Sequence, residues 1–220
     1  MKIMRHPVLA AVGLSCLLTG CESPPPPTTP PKPTAVELAD PSTIASAEGD
    51  ALNMIVEIPA GTNHKIEYQA GSGYVNDTLT DGSPRIIDFL PYPGNYGFVP
   101  STLMDKERGG DGDALDILVI GESQPTGTQL RVRPIAALLL RDRGEIDTKI
   151  VAVPVDSTLR VFRIDNFLDF SLGNDAAKRI VELWFLNYKG PGVTELVRWE
   201  DEDYAWREVA KWRTDAAVVQ

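Results

Sequence analysis

Five aspartates, Asp111, Asp113, Asp116, Asp142 and Asp147, fall within an otherwise apolar, strand-like stretch of the chain. Three crowd into Asp111-Gly112-Asp113-Ala114-Leu115-Asp116, directly before the apolar run Ile117-Leu118-Val119-Ile120. That order puts the acids on a glycine-containing loop at the mouth of a buried strand. Carboxylates repel one another when they converge, so a fold that gathers several of them calls for cations, and hard divalent ions with oxygen ligands suit such a site. An isolated D-x-D is more often a solvated acidic turn, and the rest of the chain decides between the two readings.

Bases recur beside the acids. Lys65 and Glu67 are two apart on a strand and share a face, as do Asp147 and Lys149. If Arg143-Gly144 is a two-residue turn, Asp142 pairs with Glu145 and Asp147 lies diagonally across on the same face. A diagonal of roughly 7 Å is wide for a hydrogen bond and suited to a shared cation. Any one of these pairs is equally well a surface salt bridge. Five acids alternating with Lys65, Arg85, Lys149 and Lys189 are harder to explain that way, the more so in a chain of net charge −10.

The elements that must carry these groups are strands first and helices last. Alternation or apolar runs bounded by Gly, Pro or Asp predict strands over 52–58, 65–68, 86–89, 117–120, 130–140 and 149–153. Ala177, Ile180, Val181, Trp184 and Tyr188 recur at helical spacing over 175–188, with Asn174 or Ser171 as N-cap and Gly190-Pro191 as the stop. Asp201 caps a second helix carrying Ala205, Val209 and Trp212. Short strands with helices appended predict a strand-rich α+β fold, a small barrel with packed helices rather than a doubly wound sheet.

Residues 1–20 read as an export signal: Lys2 and Arg5 precede an apolar run over 8–18 that is too short to span a bilayer. It ends Leu18-Thr19-Gly20-Cys21, which resembles a bacterial lipoprotein signal whose Cys21 becomes the acylated first residue. Cleavage there removes Lys2 and Arg5, taking the charge from −10 by two to −12, and leaves Cys21 without a disulfide partner. Residues 21–50 are rich in Pro, Thr, Ser, Ala and acids and read as a semi-extended tether. Residues 51–220 suffice for one domain with a sizeable core. The acidic balance argues against nucleic acid as a partner.

Six segments in order carry a specific resemblance. They are Val56-Glu57-Ile58-Pro59, Lys65 with Glu67, Tyr92-Pro93-Gly94-Asn95-Tyr96-Gly97, the acid block 111–116, the segment from Asp142 to Lys149 leading into Val151-Ala152-Val153-Pro154, and Tyr188-Lys189. In these the chain resembles the family I soluble inorganic pyrophosphatases. The resemblance implies a five-stranded OB-type β-barrel core flanked by two helices in the C-terminal third, and hydrolysis of pyrophosphate to two orthophosphates. It implies Mg²⁺, several ions per site, with Mn²⁺ or a similar cation as a substitute. Asp111, Asp116 and Asp147 would hold one ion, Asp116 would reach a second, and Asp142 with Asp147 would hold a further one. Glu57 and Glu67 would act mainly through metal-bound water. Lys65, Arg85, Tyr96, Lys149, Tyr188 and Lys189 would bind phosphoryl oxygens, Tyr92 would support the site, and Asp113 would be the general base.

Three positions depart from the family pattern. Ala114 replaces a rigid Pro or an acid, which predicts slower turnover; the loop 104–110 is longer than in compact bacterial members; Arg85 sits one residue off the usual spacing to Tyr92. A catalytically weak or silent lipoprotein that binds divalent cations or phosphate is the alternative function, although Asp113, Lys65, Lys149 and Tyr188 are all present. An EF-type calcium loop fails, because 111–116 lacks the required Gly and Glu positions. The expected setting is an exported protein, lipid-anchored to a bacterial membrane, the outer one by the Glu22 that follows Cys21, with a homo-oligomer left open.

Overall fold

The structure, a computed structural model, describes residues 40–214. Residues 1–20, read above as an export signal, and residues 21–39, with Cys21 and the run of prolines, lie outside the described residues. The folded part reaches further toward the N-terminus than composition suggests. Ser46 is buried, its carbonyl accepts from the Asn53 amide at 3.0 Å, and the Ile44 carbonyl accepts from the Ser101 hydroxyl at 2.8 Å. Residues 40–50, read from sequence as tether, are therefore tied to the domain by hydrogen bonds that a Ser/Ala/Asp composition does not disclose.

Among the described residues nine strands form: β1 (Ala47–Glu48), β2 (Ala51–Ile58), β3 (Ile66–Gln69), β4 (Gly73–Asn76), β5 (Asn95–Phe98), β6 (Asp116–Val119), β7 (Gln129–Asp142), β8 (Glu145–Pro154) and β9 (Thr194–Glu200). The main sheet runs β1-β2-β5-β6-β8-β7-β9, and an additional β2–β7 pairing closes β2, β5, β6, β8 and β7 into a five-stranded ring. This is the expected barrel. All its pairings are antiparallel except β6–β8. β3 and β4 form a separate hairpin.

Period-2 alternation gives the ring strands two apolar faces. Leu52, Met54, Ile117, Val119, Leu139, Ile150 and Ala152 pack with Ala205, Val209 and Trp212 of helix α2 (Glu202–Trp212). Leu118, Leu138, Leu140, Val151 and Val153 pack with Val181, Trp184 and Phe185 of helix α1 (Asp175–Asn187). Asp201 caps α2 by accepting from the Tyr204 amide at 2.9 Å, as its position predicts. Asn174 stands at the N-cap of α1 but makes no side-chain cap.

Two readings need correction. Residues 86–89 do not form a strand; one isolated bridge, His64 with Ile86, is all that pairs, and the Ile87 amide is drawn instead to the Asn63 carbonyl at 2.8 Å. Ile180, placed on the apolar face of α1 by periodicity, is 60% exposed, and Phe185 takes the buried place beside Trp184.

Candidate active site

The second face of the ring, which α1 covers at one end, becomes polar at the other and borders a cavity of about 400 Å³. Strand register decides which residues arrive there. Phe98 pairs with Asp116 and Tyr96 with Leu118, so Asp116 extends the row of Leu118 on the α1 side. On β8, Asp147 and Lys149 continue the row of Val151 and Val153, and Leu140 pairs with Asp147. The two-residue turn forms as predicted: Asp142 pairs with Glu145, and Arg143 and Gly144 both adopt positive φ, 49° and 95°.

Glu57 reaches the site by a bulge. Val56 pairs with Gly97 and Ile58 with Tyr96, which leaves Glu57 unpaired and free to turn its carboxylate toward the cavity. Gly97 makes this possible, since a Cβ there would stand 1.9 Å from the Ile55 carbonyl oxygen. The Glu57 carboxylate accepts from the Tyr68 amide at 2.7 Å. Burial, reinforced by Asp116 and Glu67, pushes its pKa up to about 8 despite that hydrogen bond and Lys65.

The acid block is shaped by its own backbone. Asp111 accepts from the Asp113 amide at 2.9 Å, and Gly112 sits at φ +94°, where a side chain would be strained. Asp113 is exposed at the cavity lining, and its pKa is raised by partial burial and by Asp111, Asp116 and Glu67, with Lys106 opposing. It therefore accepts a proton more readily than a free carboxylate.

Lysines pair with four of the site's acids. Lys149, 4% exposed, lies between Asp116, in close contact, and Asp147 at 2.6 Å, with the Tyr96 ring 5.8 Å away. Burial opposes its charge, yet Asp116, Tyr96 and Asp147 hold its pKa well above the ordinary lysine value. Lys189 bonds Asp142 at 2.6 Å, and Lys65 closely contacts Glu67. Arg85 donates to Asp77 at 3.0 Å. Tyr188 and Lys189 are delivered by the end of α1, where Tyr188 stacks on Trp184 at 4.6 Å and Gly190 turns the chain.

Glu57, Lys65, Glu67, Arg85, Tyr96, the five aspartates, Lys149, Tyr188 and Lys189 thus all line one cavity. Tyr92 does not; it is 3% exposed behind the wall, with its ring 5.3 Å from Tyr96 and 4.4 Å from Trp184. Sequence reasoning missed Tyr68, Phe98 and Glu145, which also line the cavity, and Asp77, which holds Arg85. Phe98 was findable, two residues from Tyr96 on one strand; Asp77 carries no local signal.

Among the described residues no three acidic, His or Cys side chains stand close enough to make a ready-made cation cage. The donor set nonetheless fits Mg²⁺, which keeps several waters and uses only one or two carboxylates together with substrate oxygens. One feature asks for a partner outright: Oδ1 of Asp142 is buried without a hydrogen bond.

Comparison with known proteins agrees with this geometry. The family model described as inorganic pyrophosphatase matches residues 54–217. The chain is 38% identical over 141 residues to an inorganic pyrophosphatase of Sulfolobus acidocaldarius, covering 64% of this chain and 75% of that one. With that of Neisseria meningitidis serogroup A it shares 34% over 183 residues, 79% of this chain and 96% of the relative. The solved inorganic pyrophosphatase of Coxiella burnetii superposes with a TM-score of 0.65 at 31% identity, over 77% of this chain and 97% of that one. The type I enzyme of Toxoplasma gondii gives 0.67 at 29%, over 74% and 77%.

Proposed function

This chain belongs to the inorganic pyrophosphatase family of hydrolases, and we propose that it splits pyrophosphate into two orthophosphates by attack of water, with Asp113 as general base. The observation that carries this reading is the convergence of Asp111, Asp113, Asp116, Asp142 and Asp147 with Lys65, Arg85, Lys149 and Lys189 on one cavity. Neither a solvated acidic turn nor scattered salt bridges would gather them.

In this reading Asp111, Asp116, Asp142 and Asp147 hold divalent cations, with Glu57 and Glu67 contributing through bound water. When bound, Mg²⁺ neutralises the polyanion and eases deprotonation of the attacking water. Lys65, Arg85, Lys149 and Lys189 orient the phosphoryl oxygens and stabilise charge on the transferred group and on the leaving phosphate. Tyr96 and Tyr188 donate hydrogen bonds without adding charge. Asp113 takes the proton of the water at its exposed carboxylate, which lines the cavity with Asp111 and Asp116. Tyr92 keeps Tyr96 in place from behind.

We also propose that Cys21 is acylated and that the catalytic domain works outside the cytoplasm on a bacterial membrane, supported by Leu18-Thr19-Gly20-Cys21 and the Pro-rich segment after it. The activity is tested on protein lacking residues 1–21, by measuring orthophosphate release from pyrophosphate with Mg²⁺ and with chelator. Release only with the cation is expected. Folded protein that releases none would overturn the enzymatic reading in favour of a cation- or phosphate-binding lipoprotein.

A further inference from the structure

The turn between Met104 and Gly112 places no side chain from 104–110 in the cavity wall, yet it is fastened at both ends. The Met104 amide donates to the Asp113 carbonyl at 2.8 Å, and the Met104 carbonyl accepts from the Gly112 amide at 2.7 Å. Lys106 lies across Gly112, where a Cβ would stand 2.5 Å from its Cε. Beyond it, Arg108 donates to the Lys211 carbonyl at 2.9 Å, and its guanidinium carbon lies 4.9 Å from the centre of the Trp212 ring. A cation suits that place, at the negative end of α2 and over an aromatic face. Trp212 is itself fixed, 2% exposed, with its indole donating to Glu208 at 2.8 Å and its carbonyl accepting from the Leu103 amide at 2.9 Å. The backbone between Asp111 and Asp113 is thus joined through one short turn to the end of a packed helix.

We infer that Arg108 is a positioning residue for the Asp111–Asp113 loop, bracing it from the C-terminal end of α2 and thereby setting its affinity for divalent cations. The inference rests on the cation-binding role proposed for Asp111. Two like charges flanking a glycine spread apart when unbraced. Holding them in one arrangement beforehand removes an ordering cost from cation binding. Arg108 does this without touching substrate or cation, so its loss acts on affinity rather than on the chemical step. A lysine there keeps the charge but loses the planar stacking and the forked donors.

The test compares wild type with Arg108→Ala, Arg108→Lys and, as a control on α2, Arg207→Ala, whose guanidinium lies over Tyr204 instead. Mn²⁺ binding is read directly by electron paramagnetic resonance without substrate, beside the Mg²⁺ dependence of hydrolysis and the Tm of the metal-free protein. For Arg108→Ala, the Mn²⁺ Kd and the half-saturating Mg²⁺ should each rise about fivefold or more, with kcat at saturating Mg²⁺ within about twofold of wild type. Arg108→Lys should fall between, and Arg207→Ala should match wild type. An unchanged Mn²⁺ Kd in a folded Arg108→Ala protein overturns the inference, as does a loss confined to kcat. Wild type that binds no Mn²⁺ would instead overturn the cation-binding reading, and this inference with it.

Discussion

Asp142 and Lys189 form an ion pair at 2.6 Å through one carboxylate oxygen, while the other oxygen, Oδ1, is buried without a partner. A buried acceptor left unmade costs on the order of 1–3 kcal/mol, so the pair satisfies only half of Asp142. The unsatisfied half is the part a cation or its bound water would complete. Asp142→Asn removes the charge and should raise the Mg²⁺ concentration needed for half-maximal hydrolysis by about tenfold. A magnesium titration of activity measures this directly, and an unchanged requirement would remove Asp142 from the cation set.

Asp116 has a double role, since it contacts both the cavity and Lys149. In Asp116→Asn, Lys149 keeps only Asp147 at 2.6 Å. Activity should fall at low Mg²⁺ and recover in large part at high Mg²⁺. Recovery absent across the titration would mean that Asp116 serves the chemical step instead.

Glu57 links the site to folding stability. Its folded pKa of about 8 lies above the ordinary glutamate value of 4.5, so between those values the unfolded chain has lost the proton that the folded chain keeps. The unfolded state then binds fewer protons, and stability falls as pH rises through that window, by at most about 1.4 kcal/mol per pH unit. Urea unfolding of the metal-free protein from pH 5 to pH 8 should show this slope, and Glu57→Gln should flatten it. An equal slope in both proteins would assign the pH dependence elsewhere.

Much of this was legible in the chain, because the site is carried by short segments. The acid block, the Asp142 turn and the Tyr188-Lys189 pair each declare themselves locally. A small barrel was legible in the run of short strands, but its five-stranded closure only through the resemblance, since the β2–β7 and parallel β6–β8 pairings join residues far apart in sequence. The bulge that aims Glu57 depends on Gly97 across the ladder, which no pattern within β2 reveals. Arg85 was off the expected spacing, yet it lines the cavity because the Asp77 and Arg85 backbones are joined at 2.7 Å, with Lys65 bonded to both. Ile180 fits the helical period but faces solvent, because α1 is covered on one side only.

The proposed anchoring has its own check. Cys21→Ser should move the protein from the membrane to the soluble extracytoplasmic fraction, since acyl chains hold by about 0.8 kcal/mol per buried CH₂. Wild-type protein found in the cytoplasm with residues 1–20 attached would overturn both export and acylation.

In the proposed mechanism Asp113 takes the proton of the attacking water while other acids hold the cations. Steady-state pyrophosphate hydrolysis of Asp113→Asn at saturating Mg²⁺, with Mn²⁺ binding measured on the same sample, separates the two roles. The substitution keeps an oxygen and removes proton acceptance, so turnover should fall by roughly 10²-fold or more while Mn²⁺ affinity stays near that of wild type. Near-normal turnover, or a loss that rising Mg²⁺ restores, would rule out Asp113 as the base.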